Sequence, residues 1–204
     1  MQRVVVSLLV LRWAWILQGV PVLPETRVPI QENFDLGQFM GKWYELAVVS
    51  TCPHYMQRKR GNPVIRALEL KHLASQANFT MTATNFRTGS CTQTSTDYSL
   101  TNTTGQFYHY IARFEADVDT YVVHTNYNEF AMMVLLSVER PSGIKTTTVK
   151  LYSRTMDVRA AVMDDFKTLV RQRGLSDDTI INNQNRGECT PGEQVTEPTP
   201  RSEV

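Results

Sequence analysis

The hydrophobic and polar positions of this chain follow two periods, a short one up to about residue 152 and a longer one after it. In the first part, apolar and β-branched residues form short runs between turn residues, and Phe79-Thr80-Met81-Thr82 alternates residue by residue. We predict eight strands, over 43–49, 64–73, 79–86, 93–100, 107–114, 121–125, 131–138 and 146–152. Strands at such short intervals are typical of an antiparallel meander, which closes into a barrel or folds into a sandwich.

The longer period predicts one helix near the end of the domain. Its apolar residues recur at steps of three and four, at Val158, Val162, Phe166, Leu169 and Val170. We expect Thr155 to cap its start and Gly174 to follow its end. The other face is polar, which predicts packing against the outside of the sheet. One late helix and eight strands favour a closed barrel that holds one small ligand, although this pattern alone leaves the sandwich open.

The two ends of the chain have a different character from the middle. Residues 1–19 have a basic start and a short apolar run, as in a secretory signal peptide, with cleavage near Gln18 to Val20. The alternative is a buried N-terminal helix. Residues 20–35 are rich in proline and predict an extended segment, 36–189 form one domain, and 190–204 are expected to be disordered. No run reaches the roughly 20 apolar residues of a membrane span.

Charge and sequons point to a secreted protein that does not bind nucleic acid. The formal net charge is +1, which gives no basic surface of the kind that attracts polyanions. Two glycosylation sequons begin at Asn78 and Asn102. With the predicted signal peptide, they indicate an extracellular glycoprotein.

The cysteine count leaves one thiol over. The chain has three cysteines, Cys52, Cys91 and Cys189, and spacing allows any of the three pairings. Cys52 directly follows the first predicted strand, and His54 and the run Arg58-Lys59-Arg60 come after it. Nearby cations favour the thiolate, which is the reactive form of cysteine.

Three sequence blocks resemble the signatures of the lipocalin family. They are Gly41-Lys42-Trp43-Tyr44 at the first strand, Asn126-Tyr127-Asn128-Glu129 at a late turn, and Arg154 after the last strand. The resemblance implies an all-β fold, an eight-stranded antiparallel up-and-down barrel with one C-terminal α-helix packed outside. It also implies that Trp43 closes the barrel floor and packs against Arg154.

The same resemblance assigns the cysteines. It implies a disulfide between Cys91 and Cys189 and a free Cys52 on the loop at the open end of the barrel. A free thiol in that place suits one-electron donation, mixed disulfides or covalent capture of a ligand.

A haem site at this loop is a further expectation from the resemblance, because some lipocalins of this type bind haem and scavenge radicals. Pro53 is expected to stiffen the backbone and turn it away from a helix, leaving the sulfur exposed. Haem iron at Cys52 is the only metal we expect, and no cofactor is obligatory. The supporting residues would be His54 as second ligand and Arg58, Lys59 and Arg60 as partners of the propionates.

Lys150 matches a family lysine that carries bound chromophores near the barrel mouth. The alternative is that Lys150 is a solvated strand residue. The histidines show no zinc-site spacing, and no hydrolase signature is present.

Three functions remain open from the sequence. The first is a secreted lipocalin that binds haem and small hydrophobic ligands and scavenges radicals through Cys52, with at most a weak reductase-type activity. The second is a plain carrier of retinoid or lipid whose Cys52 forms a disulfide with a plasma protein. The third is a cysteine-dependent prostaglandin isomerase, which the expected place of Cys52 at the rim, outside the cavity, argues against.

Overall fold

The computed structural model of the protein describes residues 27–72, 78–87 and 89–192. The predicted signal peptide, residues 20–26 of the predicted extended segment and residues 193–204 of the predicted disordered tail lie outside the described residues. The strands are β1 (Gly41–Ser50), β2 (Arg66–His72), β3 (Asn78–Arg87), β4 (Ser90–Leu100), β5 (Gln106–Ile111), β6 (Ala116–Thr125), β7 (Phe130–Glu139), β8 (Lys145–Ser153) and β9 (Ile181–Asn182). The α-helices are α1 (Leu36–Phe39), α2 (Pro53–Gly61) and α3 (Ala160–Gln172), and short 3-10 turns cover Ala112–Phe114 and Asp177–Thr179.

The first eight strands form a closed antiparallel barrel, as predicted. Each strand pairs with the next, and β1 pairs with both β2 and β8, which closes the sheet. Closure removes the free edges that would otherwise invite pairing with another chain. The ninth strand, which the sequence did not predict, pairs outside the barrel with Ala47 and Val48 of β1.

Alternation along β8 shows how the barrel separates its two faces. Val149 and Leu151 point outward into the apolar layer beneath α3, whereas Lys150 and Tyr152 point into the barrel. Successive strand residues face opposite sides of a sheet, so this arrangement is fixed by the register. The outer wall here is therefore apolar, and the polar residue of the alternation faces inward.

The closed end of the barrel has the predicted packing of Trp43 and Arg154. The Arg154 guanidinium lies 3.7 Å from the centre of the Trp43 ring. Its nitrogens donate to four backbone carbonyls, those of Gln38, Met40, Lys42 and Tyr127. Gly41 adopts a φ of +89°, which residues with a side chain rarely tolerate. Together these contacts hold the floor shut.

Helix α3 lies outside the barrel as predicted, but it starts later. Val162, Phe166, Leu169 and Val170 are buried against the outer faces of β7 and β8. The helix begins at Ala160 without a side-chain cap, so the expected cap at Thr155 is wrong. Thr155 instead donates to the backbone carbonyl of Asp157, which stabilises the preceding turn. Gly174 follows the helix with a φ of +72°, as expected.

The C-terminal segment is bonded to the barrel wall. Cys91 at the start of β4 forms a disulfide with Cys189. Next to it, Glu188 accepts hydrogen bonds from Lys42 at 2.6 Å and from the hydroxyl of Tyr44. The pairing of Cys91 with Cys189 that the resemblance implied is confirmed. No helix within the described ranges has the length and apolar character needed to cross a membrane.

Candidate functional site

The site lies at the open end of the barrel, where helix α2 joins β1 to β2. The sequence predicted a loop here, with Pro53 turning the chain away from a helix, and that expectation is wrong. Pro53 is the first helical residue, and Cys52 is the N-cap. Proline is well tolerated at that position because the first backbone N–H groups of a helix have no partner within it.

Cys52 is the free cysteine of the chain and is partly exposed. Its backbone N–H donates to the Ser50 hydroxyl at 3.2 Å, and its carbonyl accepts from the Met56 amide at 3.1 Å. Its side chain makes no capping hydrogen bond. Cys52 therefore stands at the N-terminus of a nine-residue helix with its thiol free of the capping contacts.

The basic run after Cys52 divides between solvent and interior. Arg58 and Arg60 are exposed, as is His54, and the Arg58 guanidinium lies 5.5 Å from the centre of the Tyr55 ring. Lys59 is only 2% exposed. The helix turns the Lys59 side chain into the barrel, so Lys59 does not lie beside Arg58 and Arg60 as the expected partner of a propionate.

Lys59 and Lys150 share one buried carboxylate. The ammonium of Lys59 lies 2.7 Å from Glu45 Oε1, and that of Lys150 lies 2.9 Å from Glu45 Oε2. Glu45 is 1% exposed. The alternative that Lys150 is a solvated strand residue is therefore wrong, since it lies inside the barrel in an ion pair.

Electrostatics keep Glu45 ionised despite its burial. Burial alone raises the pKa of the Glu45 carboxyl, yet the surrounding cations, Lys150 first among them, hold it well below its ordinary value. Burial likewise lowers the pKa of Lys150, but Glu45 and the nearby tyrosines raise it well above its ordinary value. For Lys59, burial prevails over Glu45 and lowers the pKa.

Other polar groups inside the barrel have no hydrogen-bond partner among the described residues. They are the Tyr55 hydroxyl, His109 Nδ1 and Thr120 Oγ1. The His109 ring lies 4.5 Å from the Tyr98 ring, and burial lowers the pKa of His109 to about 4. An unpaired buried polar group costs free energy, and a ligand with complementary donors or acceptors would recover it.

Sequence reasoning missed Glu45, His109 and Thr120. The signal that could have found them is their spacing on the strands. Each lies two residues from an inward-facing apolar residue, which is Trp43, Phe107 or Val122, and therefore points to the same side of the sheet. Within the described ranges, no three metal-ligating side chains come together. Asn102 lies exposed in a turn, and the partly buried Asn78 begins β3, so glycosylation at both sites stays a prediction.

Comparisons with known proteins agree with this architecture. A family model described as the lipocalin / cytosolic fatty-acid binding protein family matches residues 40–187. Protein AMBP of Pleuronectes platessa is 52% identical over 95% of this chain and 54% of its own length. Protein AMBP of Bos taurus is 37% identical over 90% of this chain and 51% of its own length. The chain thus spans about half the length of the curated relatives it matches.

A solved structure shows the same fold. The siderocalin Ex-FABP superposes with a TM-score of 0.61 at 21% identity, covering 74% of this chain and 96% of that one. Protein AMBP is the alpha-1-microglobulin/bikunin precursor, and Ser50-Thr51-Cys52-Pro53 and Arg186-Gly187-Glu188-Cys189 here resemble its alpha-1-microglobulin part. The family match over residues 40–187, the closed barrel and the packing of Trp43 against Arg154 lead to one conclusion: this chain belongs to the lipocalin / cytosolic fatty-acid binding protein family.

Proposed function

We propose that this chain is a secreted lipocalin that binds haem and other small hydrophobic ligands and scavenges radicals through Cys52. The observation that carries the proposal is the position of Cys52, which is unbonded, partly exposed and placed at the N-terminus of α2 over the barrel mouth. The disulfide between Cys91 and Cys189 supports secretion, because such bonds persist in oxidising compartments.

The radical chemistry needs only the thiol and a small reductant. Cys52 gives one hydrogen atom from its S–H bond to an organic radical, which becomes a closed-shell compound and leaves a thiyl radical on the sulfur. A small thiol then returns a hydrogen atom to Cys52 and carries the unpaired electron away as its own thiyl radical. The exposure of Cys52 allows both reactants to reach the sulfur.

The residues around Cys52 fit haem in part. The sulfur is engaged in no capping hydrogen bond, so its lone pairs are available to iron. Arg58 and Arg60 are exposed on the same helix and suit the propionates. His54, exposed two residues after Cys52, would be the second residue of this segment able to bind haem iron.

The experiment compares the wild-type chain with Cys52→Ser in two titrations, one with haem and one with a coloured one-electron oxidant. Serine is a good N-cap, so the helix is expected to remain intact. We expect Cys52→Ser to lose dye reduction and the thiolate–iron absorption band. Thr51→Ser is the matched control, since Thr51 is the exposed neighbour and its hydroxyl contact with the Thr147 amide survives the change.

A different result would favour the plain carrier. If Cys52→Ser reduces the dye and binds haem as well as the wild type does, the redox assignment is wrong. Binding of an apolar fluorescent ligand by both proteins would then leave a lipocalin whose Cys52 serves for disulfide attachment to another protein.

A further inference from the structure

The open end of the barrel exposes large apolar side chains. Within the described ranges, the most exposed are Tyr110 at 41%, Phe114 at 46%, Val138 at 38% and Ile144 at 55%. All four lie at the tips of the β5–β6 and β7–β8 hairpins, the end at which α2 covers the mouth. Exposed apolar residues scattered over a surface need no explanation, but a group at one end indicates an interaction site.

These side chains lie on adjacent strands and turns of the two hairpins. Tyr110 pairs across the sheet with Asp117, Asp117 with Val138, and Val138 with Lys145. Ile144 directly precedes Lys145, and its carbonyl accepts from the Glu139 amide at 3.0 Å. Phe114 ends the turn between β5 and β6. We call the four apolar residues, with Arg113 and Arg140, the open-end patch.

Cations are interleaved with the apolar groups. The guanidinium of Arg113 lies 5.4 Å from the centre of the Phe114 ring, and that of Arg140 lies 4.6 Å from the centre of the Tyr110 ring. Arg58 and Arg60 add two exposed charges from α2 at the same end. Acidic groups are present as well, at Glu115, Glu139 and Asp117, and Asp117 is paired with Arg140 at 2.8 Å. The basic groups at this end outnumber the acidic ones.

We propose that the open-end patch docks on an anionic phospholipid surface. Aromatic and aliphatic side chains next to arginines match the layered chemistry of a membrane interface, with apolar groups in the acyl boundary and guanidinium groups among the phosphates. A second copy of the chain fits less well, because its excess of positive charge would face an identical excess.

Docking in this orientation places the barrel mouth against the lipid. A hydrophobic ligand dissolved in the bilayer would then reach the mouth beneath α2 without crossing water. The inference depends on neither haem binding nor the chemistry of Cys52.

The test measures co-sedimentation of the full chain with phosphatidylcholine vesicles that contain phosphatidylserine, and with vesicles of phosphatidylcholine alone. We expect binding to the anionic vesicles that weakens as salt is added. The double variant Phe114→Ser/Ile144→Ser should reduce binding by about tenfold or more, and Arg113→Glu by several-fold. Because both changes lie at exposed positions, the urea midpoint should stay that of the wild type.

Lys71→Glu is the matched charge control, since Lys71 is exposed at the closed end of β2. It should bind as the wild type does. All the compared proteins carry the same apolar N-terminal run, so any affinity of that run for lipid is equal in each of them and does not affect the comparison. Loss of binding in Lys71→Glu equal to that in Arg113→Glu would overturn the proposal. So would failure of the wild-type chain to bind anionic vesicles at low salt.

Discussion

Lys59 of α2 and Glu45 of β1 form a buried ion pair, with 2.7 Å between the ammonium nitrogen and Oε1. The pair joins the helix that covers the mouth to the wall of the barrel. Because Glu45 also binds Lys150, at 2.9 Å, one carboxylate is the shared counter-charge of two cations. Both lysines therefore need Glu45 as their partner, whereas Glu45 keeps one partner if either lysine is removed.

This inequality predicts different costs for two substitutions. Glu45→Gln leaves two buried ammonium groups without a counter-charge and should lower the free energy of unfolding by about 3–5 kcal/mol. Lys59→Met leaves Glu45 with Lys150 and removes a cation whose burial is only partly compensated, so its effect should stay within about 1 kcal/mol. Urea unfolding of the disulfide-intact proteins measures both. Equal losses of unfolding free energy in the two variants would contradict the prediction, because they would show that Lys150 does not need Glu45 as its counter-charge.

The buried His109 predicts a loss of stability in mild acid. Its pKa is about 4 in the folded protein, lowered first by burial and then by Lys150, against about 6.5 in the unfolded chain. The unfolded chain thus binds more protons between these values, and stability should fall as the pH drops from about 6.5 to 4, by about 2–3 kcal/mol in total.

Comparing unfolding curves of wild type and His109→Gln across this range isolates the effect. The variant should show a shallower pH dependence. His124→Gln is the control, because it makes the same substitution at an exposed histidine. Identical slopes in wild type and His109→Gln would contradict the prediction.

Removal of the disulfide should lower the free energy of unfolding strongly, because the disulfide closes a long loop. Cys91 and Cys189 are 98 residues apart, and a loop of that size contributes about 4–5 kcal/mol in the chain-entropy model. We expect Cys91→Ala/Cys189→Ala to lose about that much in urea unfolding. Cys52→Ser should differ from wild type by no more than about 0.5 kcal/mol, since it lies outside the loop and keeps a cap. A smaller loss in the double variant would mean that the C-terminal segment is ordered in the unfolded state as well.

Arg154→Lys should destabilise the closed end although the charge is kept. The guanidinium bonds four carbonyls while stacking on Trp43, and an ammonium group cannot reproduce that planar arrangement. We expect a loss of about 2 kcal/mol, because partly buried carbonyls of Met40 and Tyr127 are left without donors and the stacking on Trp43 is lost. Arg159→Lys, in an exposed ion pair with Glu129, is the control and should change stability by less than about 1 kcal/mol.

The strands were predictable because short apolar runs between turn residues are a local signal, whereas the choice of a barrel over a sandwich rested on the resemblance to the lipocalin family. The alternation of apolar and polar residues does not by itself tell which face of the sheet carries the polar residues. In Val149-Lys150-Leu151, the polar residue would face water on an ordinary half-exposed strand. Here α3 covers the outside of β8, so the apolar residues point outward and Lys150 points in. Whether the outer face of β8 contacts water thus depends on α3, which follows it in the sequence and is not part of the strand pattern.

Helix α2 was not predictable for a related reason. Its sequence has little apolar periodicity, and Met56 and Lys59 are its buried residues. Lys59 is turned inward to a partner, Glu45, that lies on β1 inside the barrel and outside the helix sequence. A single polar contact of this kind, between a helix residue and the inside of the barrel, gives the helix sequence no apolar periodicity from which it could be predicted.

The disulfide also determines how the molecule bears mechanical load. Pulling on the two ends of the oxidised chain transmits force from the C-terminal segment through Cys189 directly into Cys91 on β4. The stretch between these cysteines, which holds β5 to β8 and α3, carries no tension and cannot lengthen. Only the residues outside the bridge extend, so β1, β2 and β3 would be peeled away while the rest of the wall stays within a covalent ring.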